Sequence, residues 1–274
     1  MIRRNKAFVA GTLILSLLLA SAIFAPFLIA FPPDQMNYQD RIQLPSGLHP
    51  FGTDYFGRDI FARTIYGSRI AFLVGFLSVT FGAIPGLFLG LLAGYKQGWF
   101  DVLIMRLMDG FLAFPALLLA IAIITVLGPG HLQATISIGI ILLPAFTRLV
   151  RGQVLTIREE EYVQAAIALG ASDRVIIWRH ILPNVMGPMI VQTTVSFANA
   201  ILIEAGLSFL GLGTQPPIPS WGAMLQEAKD FMDLQPWAAI LPGLAIALSV
   251  MGFNLFGDGL RDWLDPRFRP RMIK

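Results

Sequence analysis

The residue types that catalyse reactions or bind metals are few and scattered in this sequence. Its three histidines, His49, His131 and His180, are far apart, and the chain has no cysteine, which excludes disulfides, thiolate metal sites and thiol nucleophiles. The phosphate loop G-x-x-x-x-G-K-[ST], the zinc motif H-E-x-x-H and the nucleophile motif G-x-S-x-G are absent. We therefore predict no catalytic residue, no metal site and no cofactor in this chain, so any ATP that drives it must bind to another protein.

Passage of a polar solute is a second kind of chemistry, and it needs polar side chains inside apolar segments. The candidates for such a translocation path are Asp109, Asn199, Glu204, Asn254 and Asp258. All but Asn199 lie near predicted segment ends, where contact with water is the alternative explanation. Asp109 also lies three residues after Arg106, with which it can pair on one helix face.

These candidates belong to a chain that is mostly apolar. Hydrophobic residues make up 55% and charged residues 14% of the 274 residues, and the mean hydropathy is +0.69, as in membrane proteins. Largely uncharged runs of about 20 residues or more can cross a bilayer core. They predict an all-α polytopic membrane protein with six transmembrane helices, at 7–33, 70–95, 102–128, 132–150, 181–203 and 234–257.

Parts of this assignment have alternatives. The first run could be a cleavable signal peptide, although it continues beyond any reasonable cleavage site. The stretch from His49 to Arg69 could be an amphipathic helix lying at the membrane interface or a solvated loop. Glycines and prolines in 205–235 disfavour a regular crossing, so we expect a structured external loop there, with re-entry of 205–225 into the membrane left open.

A row of glycines marks one face of the second span. Gly82, Gly86, Gly90 and Gly94 recur every four residues, so a second helix backbone could approach them closely. Helix packing is the preferred interpretation, and a substrate path is the alternative. Pro85 lies in the same row and predicts a bend.

The distribution of basic residues predicts the orientation. With both termini in the cytoplasm, fifteen of the 20 Lys and Arg residues face the cytoplasm and five face outward, as the positive-inside rule requires. The chain then divides into an N-terminal anchor helix with an external segment (1–68), a transmembrane core (69–260) containing a cytoplasmic loop (151–183), and a cytoplasmic tail (261–274).

The cytoplasmic loop contains a polar insert, Arg158–Asn184, which predicts two short helices joined by a sharp turn. The first begins after three glutamates, which favour a helix N-terminus, and ends at Gly170, a residue suited to a left-handed helix end. Ser172 can cap the second helix, which precedes Pro183. A DNA-binding helix-turn-helix has similar spacing, but the second helix here is too apolar to read bases, so we expect no nucleic-acid partner.

The same insert resembles a known family motif. Gln164-Ala165-Ala166, three residues, Gly170, nine residues and then His180-Ile181-Leu182-Pro183 resembles the loop Glu-Ala-Ala-x3-Gly-x9-Ile-x-Leu-Pro of bacterial ABC-importer permeases, with Gln164 and His180 as the departures. Four further segments look like the C-type permease subunit of dipeptide and oligopeptide importers, a group that also serves nickel and glutathione: His49–Arg69, Leu207–Gly213, Pro219–Leu225 and Gly257–Arg267.

This resemblance implies a type I ABC importer permease fold in the bacterial plasma membrane. It also implies the partners: a B-type permease subunit in a pseudo-twofold heterodimer, two cytoplasmic ATPase subunits that bind ATP and Mg²⁺, and an external substrate-binding protein facing loop 205–235. The first insert helix would be the coupling helix, and the residues expected to meet an ATPase subunit are Glu161, Tyr162, Gln164, Ala165, Ala166, Leu169, Gly170 and Ser172.

The substrate is the least determined part of this hypothesis. The resemblance implies di- or oligopeptides and leaves nickel and glutathione open, because selectivity would lie in the binding protein. An ion-coupled secondary transporter is the rival from another class. It would need coupling residues near the middle of the membrane, and the sequence shows neither a clear internal repeat nor a central charge pair.

Overall fold

The computed structural model of the chain describes residues 6–264. Within this range the regular structure is helical, apart from one isolated bridge between Thr53 and Asp59. The helices are α1 (Lys6–Ile23), α2 (Ala25–Leu28), a 3₁₀ turn (Tyr38–Asp40), α3 (Ile60–Lys96), α4 (Gly98–Leu112), α5 (Ala116–Leu127), α6 (His131–Arg158), α7 (Glu161–Ala168), α8 (Asp173–Val175), a π-helical stretch (Ile176–Ile181), α9 (Leu182–Phe209), α10 (Trp221–Ala228) and α11 (Trp237–Leu264).

Five helices are long and apolar enough to cross a membrane, and α4 with α5 make a sixth crossing if a bent pair counts as one. The span predicted at 102–128 is not one continuous helix, because α4 and α5 meet at 93°. Pro115 explains the break, since proline lacks the N–H that a helix needs and disfavours the helical conformation at Phe114. The five long helices are α1, α3, α6, the continuous stretch Asp173–Phe209 and α11.

Helix α3 is longer than the span expected at 70–95. It begins at Ile60, where the Asp59 carboxylate accepts a hydrogen bond from Ala62 N–H, and runs for 37 residues to Lys96. Residues 60–69 are therefore neither a separate interfacial helix nor a loop but the first turns of a long helix. We use its two termini to name the ends of the molecule: the Ile60 end and the Lys96 end.

The largest interface in the fold joins α3 to α6 along the glycine row. A Cβ atom on Gly86, Gly90 or Gly94 would lie 2.6–2.8 Å from the Cβ atoms of Phe146, Val150 and Val154, and one on Gly82 would lie 2.9 Å from the Gly139 carbonyl oxygen. Since the α6 residues also recur every four positions, two matching stripes meet along the helices. The two helices approach this closely because the glycines have no side chain.

Helix α1 packs antiparallel against α11. Phe8 stacks on Phe256 with ring centroids 5.2 Å apart, and Gly259 leaves no room for a side chain beside Phe8. Helix α11 starts in a cluster with Ile60 and Trp221 and then runs toward the Lys96 end. Both ends of the described chain, Lys6 and Leu264, therefore lie on the Lys96 side. Most of the tail predicted at 261–274 lies outside the described residues.

The connections 29–59 and 210–236 lie together at the Ile60 end. Trp221, only 1% exposed, donates its indole N–H to the Thr64 carbonyl oxygen at 2.9 Å and packs where Gly67 has no side chain. Gln235 joins the two connections by donating to the Gln43 carbonyl oxygen at 2.7 Å. The predicted loop 205–235 thus contains helix α10, and its first residues continue α9 as far as Phe209.

Candidate functional site

Helix α7 occupies the Lys96 end, between the end of α6 and the start of α8. It ends in the left-handed conformation predicted at Gly170, whose φ is 81°, and Ala171 N–H closes the helix end on the Ala166 carbonyl oxygen at 3.1 Å. Ser172 precedes α8 in the extended conformation of a cap residue, although its hydroxyl makes no capping hydrogen bond. The second predicted helix is different: it continues through Pro183 into the span that ends at Phe209.

Contacts at its base fix α7 on the bundle. Val163 is fully buried, and the Gln164 side-chain amide donates to the Arg158 carbonyl oxygen at 2.8 Å. Asn184 donates to the Tyr162 hydroxyl at 3.1 Å, so the first turn of α7 is joined to α9. A short helix with few internal hydrogen bonds is marginal by itself. These contacts explain how α7 keeps one position.

The outward side of α7 is small, apolar and uncovered. Leu169 is 89% exposed and Tyr162 is 47% exposed. Ala166 is half-buried, and the other residues expected to meet a partner are exposed: Glu161, Gln164, Ala165, Gly170 and Ser172. Helix α7 is thus an alanine-rich helix in a fixed position, and the exposed Leu169 protrudes from its C-terminal end. This shape suits insertion into a cleft on a partner protein.

A polar brace joins the start of α8 to the end of α3. Asp173 accepts hydrogen bonds from the Tyr95 hydroxyl at 2.8 Å and from the Lys96 ammonium group at 3.1 Å. Arg158 donates to the Tyr95 carbonyl oxygen at 2.9 Å. Sequence reasoning missed Tyr95 and Lys96, because their partner Asp173 is 77 or 78 residues away and no local pattern connects them.

Two ion pairs join α4 to α6 near the same end. Arg151 binds both carboxylate oxygens of Asp101, and Arg148 binds Asp109. Asp109, a candidate for the translocation path, therefore pairs with Arg148 on the neighbouring helix instead of with Arg106. It lies on an exposed part of α4.

The remaining path candidates have different environments. Glu204 is 1% exposed and accepts hydrogen bonds from the Ser208 hydroxyl at 2.7 Å and the Thr214 hydroxyl at 3.2 Å, so it holds the turn that follows α9. Asn199, Asn254 and Asp258 are exposed on the surface of the single chain. An exposed amide within a membrane span requires a polar surrounding, which a neighbouring subunit or a water-filled passage can supply.

A buried charge cluster at the Ile60 end was not anticipated from the sequence. Arg58 and Arg63 are 3% and 2% exposed, and both bind the same Glu227 carboxylate oxygen, at 2.5 and 3.0 Å. Asp54 accepts from Arg58 Nε at 2.7 Å and lies 3.6 Å from Arg63 Nε. Two cations thus face two anions. Glu227 is 164 residues from Arg63, so only the fold brings these groups together.

A second buried pair lies next to this charge cluster. His49 Nδ1 is 2.8 Å from an Asp59 oxygen, and the other Asp59 oxygen caps α3. Asp54, Arg58 and Glu227 also line a cavity of about 550 Å³ at the surface of the Ile60 end. Among residues 6–264, no group of three or more His, Asp or Glu side chains is arranged to hold a metal ion.

Comparison with protein families gives two matches that together cover most of the chain. Residues 86–270 match the model described as "Binding-protein-dependent transport system inner membrane component". Residues 1–46 match the "N-terminal TM domain of oligopeptide transport permease C". The first match includes α7, the α6 stripe and the α3 stripe from Gly86 onward.

Curated relatives resemble the chain over almost its whole length. It is 49% identical to the dipeptide transport system permease protein DppC of Alkalihalophilus pseudofirmus, covering 98% of this chain and 88% of the relative. The di/tripeptide transport system permease protein DppC of Pseudomonas aeruginosa is 45% identical, with 97% and 89% covered. The glutathione transport system permease protein GsiD of Pectobacterium atrosepticum is 46% identical, with 98% and 89% covered.

Among solved structures, a chain of the inward-facing MetNI methionine ABC transporter has a similar fold. The TM-score is 0.54 at 15% identity, and the superposition covers 74% of this chain and 96% of the other. The family match places the protein in the inner membrane as a multi-pass permease, a transport subunit without a cofactor of its own, and ATP is bound by partner ATPases. The chain belongs to the family of inner membrane components of binding-protein-dependent ABC importers, in its oligopeptide permease C branch.

Proposed function

We propose that the chain is one of two permease subunits of an importer that carries dipeptides, tripeptides or glutathione inward. Relatives at 45–49% identity transport dipeptides, di/tripeptides and glutathione according to their names. Glutathione is itself a tripeptide, so a single kind of passage fits all three. ATPase subunits and an external binding protein complete a system of this family.

Helix α7 is the observation that carries the coupling mechanism. It is braced to α6 and α9 but presents Leu169, Ala165 and Gly170 without a covering surface. In our proposal a cleft of an ATPase subunit closes around the exposed side of α7. Helix α8 follows α7 after a four-residue turn, and its Asp173 binds Tyr95 and Lys96, so a push on α7 reaches α3 through α8. The spans then rock between inward- and outward-facing states.

The Lys96 end is the cytoplasmic end in this proposal, and both termini lie there. The support is the excess of basic residues, together with the position of Lys6 and Leu264 on the same side as α7. The Ile60 end then faces outward, and connections 29–59 and 210–236 form the surface for the binding protein.

A B-type permease is the second subunit in this proposal. Asn199 and Asn254 belong to membrane spans but are exposed on the single chain. Polar residues inside spans generally face a bundle interior or an aqueous cavity. A second permease packed beside α9 and α11 would enclose them, so the path would lie between two chains.

A charge placed at the tip of α7 tests the coupling mechanism. Leu169→Glu would put a carboxylate into the ATPase cleft, where burial without a partner is costly. We expect the ATPase subunits to be lost on purification and ATP-driven peptide uptake to fall roughly tenfold or more, since about 1.4 kcal/mol gives each factor of ten. The amount of protein in the membrane should not change.

Leu48→Glu is the matched control, because Leu48 is 72% exposed at the other end of the molecule. It should retain the ATPase subunits. Normal uptake by Leu169→Glu, or uptake that follows an ion gradient without ATP, would contradict the coupling proposal and favour a secondary transporter.

The substrate can be tested separately. In cells with the complete system, we expect unlabelled dipeptides or tripeptides to compete with labelled peptide uptake. Competition by glutathione at lower concentration than any dipeptide would identify the glutathione branch. If neither peptides nor glutathione compete, the substrate proposal is wrong even where the coupling result holds.

A further inference from the structure

One face at the start of the Asp173–Phe209 span is basic and aromatic, and no other part of the described chain covers it. Arg174, Val175, Trp178 and Arg179 line a shallow depression of about 660 Å³. Trp178 is 60% exposed and Val175 is 43% exposed. Within residues 6–264, neither arginine has an ion pair or a hydrogen bond to a side chain. Two free guanidinium groups thus flank an exposed indole.

The π-helical stretch Ile176–Ile181 explains why these side chains share a face. In a π-helix, hydrogen bonds join residues five apart, so residues at that spacing come close to alignment. Ile176 and Ile181 are five apart, and both are buried against the bundle. Arg174, Trp178 and Arg179 are therefore directed away from the bundle.

The depth of this face can be derived from the brace. Asp173 binds Lys96, and the α3–α4 turn follows at once with positive φ values at Gln97 and Gly98. The open backbone of such a turn cannot lie in hydrocarbon, so Asp173 is at the level of water or headgroups. Trp178 lies five residues further along the same continuous helix, which is at most about 7 Å deeper, since 1.5 Å per residue is the rise of an α-helix and a π-helical stretch rises less. A headgroup layer is roughly 5–8 Å thick, so Trp178 lies at the level of the headgroups.

Two long cations that flank an interfacial tryptophan suit one kind of ligand. Arginine binds phosphate through a planar fork of donors, tryptophan favours the boundary between headgroups and acyl chains, and the cytoplasmic leaflet carries anionic lipids. The depression is open on the side away from the bundle, so a lipid headgroup can reach the two arginines from that side. We propose that Arg174, Trp178 and Arg179 bind the phosphate headgroup of an anionic phospholipid in the cytoplasmic leaflet, next to the coupling helix.

This inference rests on the orientation given under the proposed function, and retention of lipid by the assembled transporter tests it. The complex is purified in mild detergent from membranes containing phosphatidylglycerol and a neutral phospholipid, and bound lipids are counted by native mass spectrometry. We expect R174Q/R179Q to lower the ratio of retained phosphatidylglycerol to neutral lipid about thirtyfold, since each arginine near an anionic surface contributes several-fold.

The matched control is R106Q/R261Q, which removes two exposed arginines from the same end of the protein. It should retain phosphatidylglycerol like the wild type. Equal retention by both double variants would overturn the proposal. So would release of phosphatidylglycerol by millimolar inorganic phosphate, which would identify a free-phosphate site. Loss of the ATPase subunits from R174Q/R179Q with unchanged lipid would show a protein contact instead.

A milder variant keeps the test decisive if R174Q/R179Q does not assemble. In nanodiscs, spin-labelled phosphatidylglycerol should quench wild-type tryptophan fluorescence more than spin-labelled neutral lipid does, and Trp178→Phe should abolish the difference. Equal quenching by the two lipids in the wild type would contradict the proposal. These measurements do not require transport, so they test lipid binding even if the proposed coupling mechanism is wrong. Maleimide labelling of the variant Thr156→Cys reports separately on the orientation.

Discussion

Arg63 is buried, although arginine side chains mostly lie at the protein surface. It is 2% exposed and faces Asp54 and Glu227, and Arg58 shares both partners. Buried charges are tolerated only when they are paired. The sequence shows Arg58, Asp59 and Arg63 near each other but gives no sign of Glu227, because pairing across 164 residues depends on the whole fold.

Charge balance in this cluster leads to a prediction. Glu227→Gln would leave two buried arginines with Asp54 alone, and breaking a buried pair in this way costs roughly 3 kcal/mol. R63Q/E227Q restores two opposite charges, Arg58 and Asp54, and should be less destabilised than the single variant. Thermal unfolding of the detergent-solubilised complex would measure both.

Lys229→Gln serves as the control for this comparison, since Lys229 is exposed and its distance to Asp230 is 4.0 Å. Its melting temperature should match that of the wild type because exposed pairs contribute little. A double variant that melts below the single variant would show that charge balance does not govern the cluster.

Gln164 stands where the permease motif has a glutamate, and the structure gives its side chain a role that a glutamate could not fill. Its amide nitrogen donates to the Arg158 carbonyl oxygen at 2.8 Å. A carboxylate could not donate in this way at neutral pH. The Gln164 side chain thus ties α7 to the end of α6. Its role toward a partner stays a prediction.

At the scale of elements, hydropathy predicted which segments form long apolar helices but not where those helices begin and end. Helix α6 continues from its apolar part through Arg148 and Arg151 to Arg158, because these arginines pair with Asp109 and Asp101 of α4 and do not interrupt the helix. Hydropathy also missed the break between α4 and α5. Pro115 was the available signal, but an apolar run on both sides concealed it.

The interface of α3 with α6 gives a prediction at this scale. Gly90→Ala would place a Cβ atom 2.6 Å from Val150 Cβ and 2.7 Å from the Thr147 carbonyl oxygen, so the two backbones must separate. We expect a loss of about 1–3 kcal/mol, typical of overpacking, seen as a lower melting temperature.

Gly152→Ala is the matched control, because Gly152 lies on α6 with nothing within 4 Å of the new Cβ atom. Alanine is the better helix former by about 1 kcal/mol, so this variant should be neutral or slightly more stable. If the two variants melt alike, the glycine row does not set the helix separation.

In the molecule as a whole, α7 and the buried charge cluster lie at opposite ends. The five long apolar helices, their order and the position of the insert could be predicted from the apolar runs, and the sixth predicted span corresponds to the bent pair α4 and α5. The connections 29–59 and 210–236 could not, since their contacts join residues distant in sequence, such as Trp221 with Thr64.

The absence of cysteine makes the orientation directly testable. Thr156→Cys and Lys229→Cys each introduce one thiol at an exposed position, at opposite ends of the molecule. In intact cells a membrane-impermeant maleimide should label position 229, and it should label position 156 only after permeabilisation. The reverse pattern would place α7 outside and contradict the proposed coupling. Retained peptide uptake by each variant is the control for correct folding.

Helix α3 is divided into two arms of unequal length by its contact with α6. It is about 55 Å long at 1.5 Å per residue, and the glycine contact with α6, centred near residue 88, divides it into a short arm toward Lys96 and an arm roughly three times longer toward Ile60. Any rigid tilt about that contact turns a small displacement at Tyr95 and Lys96 into a swing about three times larger at Arg63, in the opposite direction. In the proposed orientation, a small displacement on the cytoplasmic side would thereby become a larger one on the outer side.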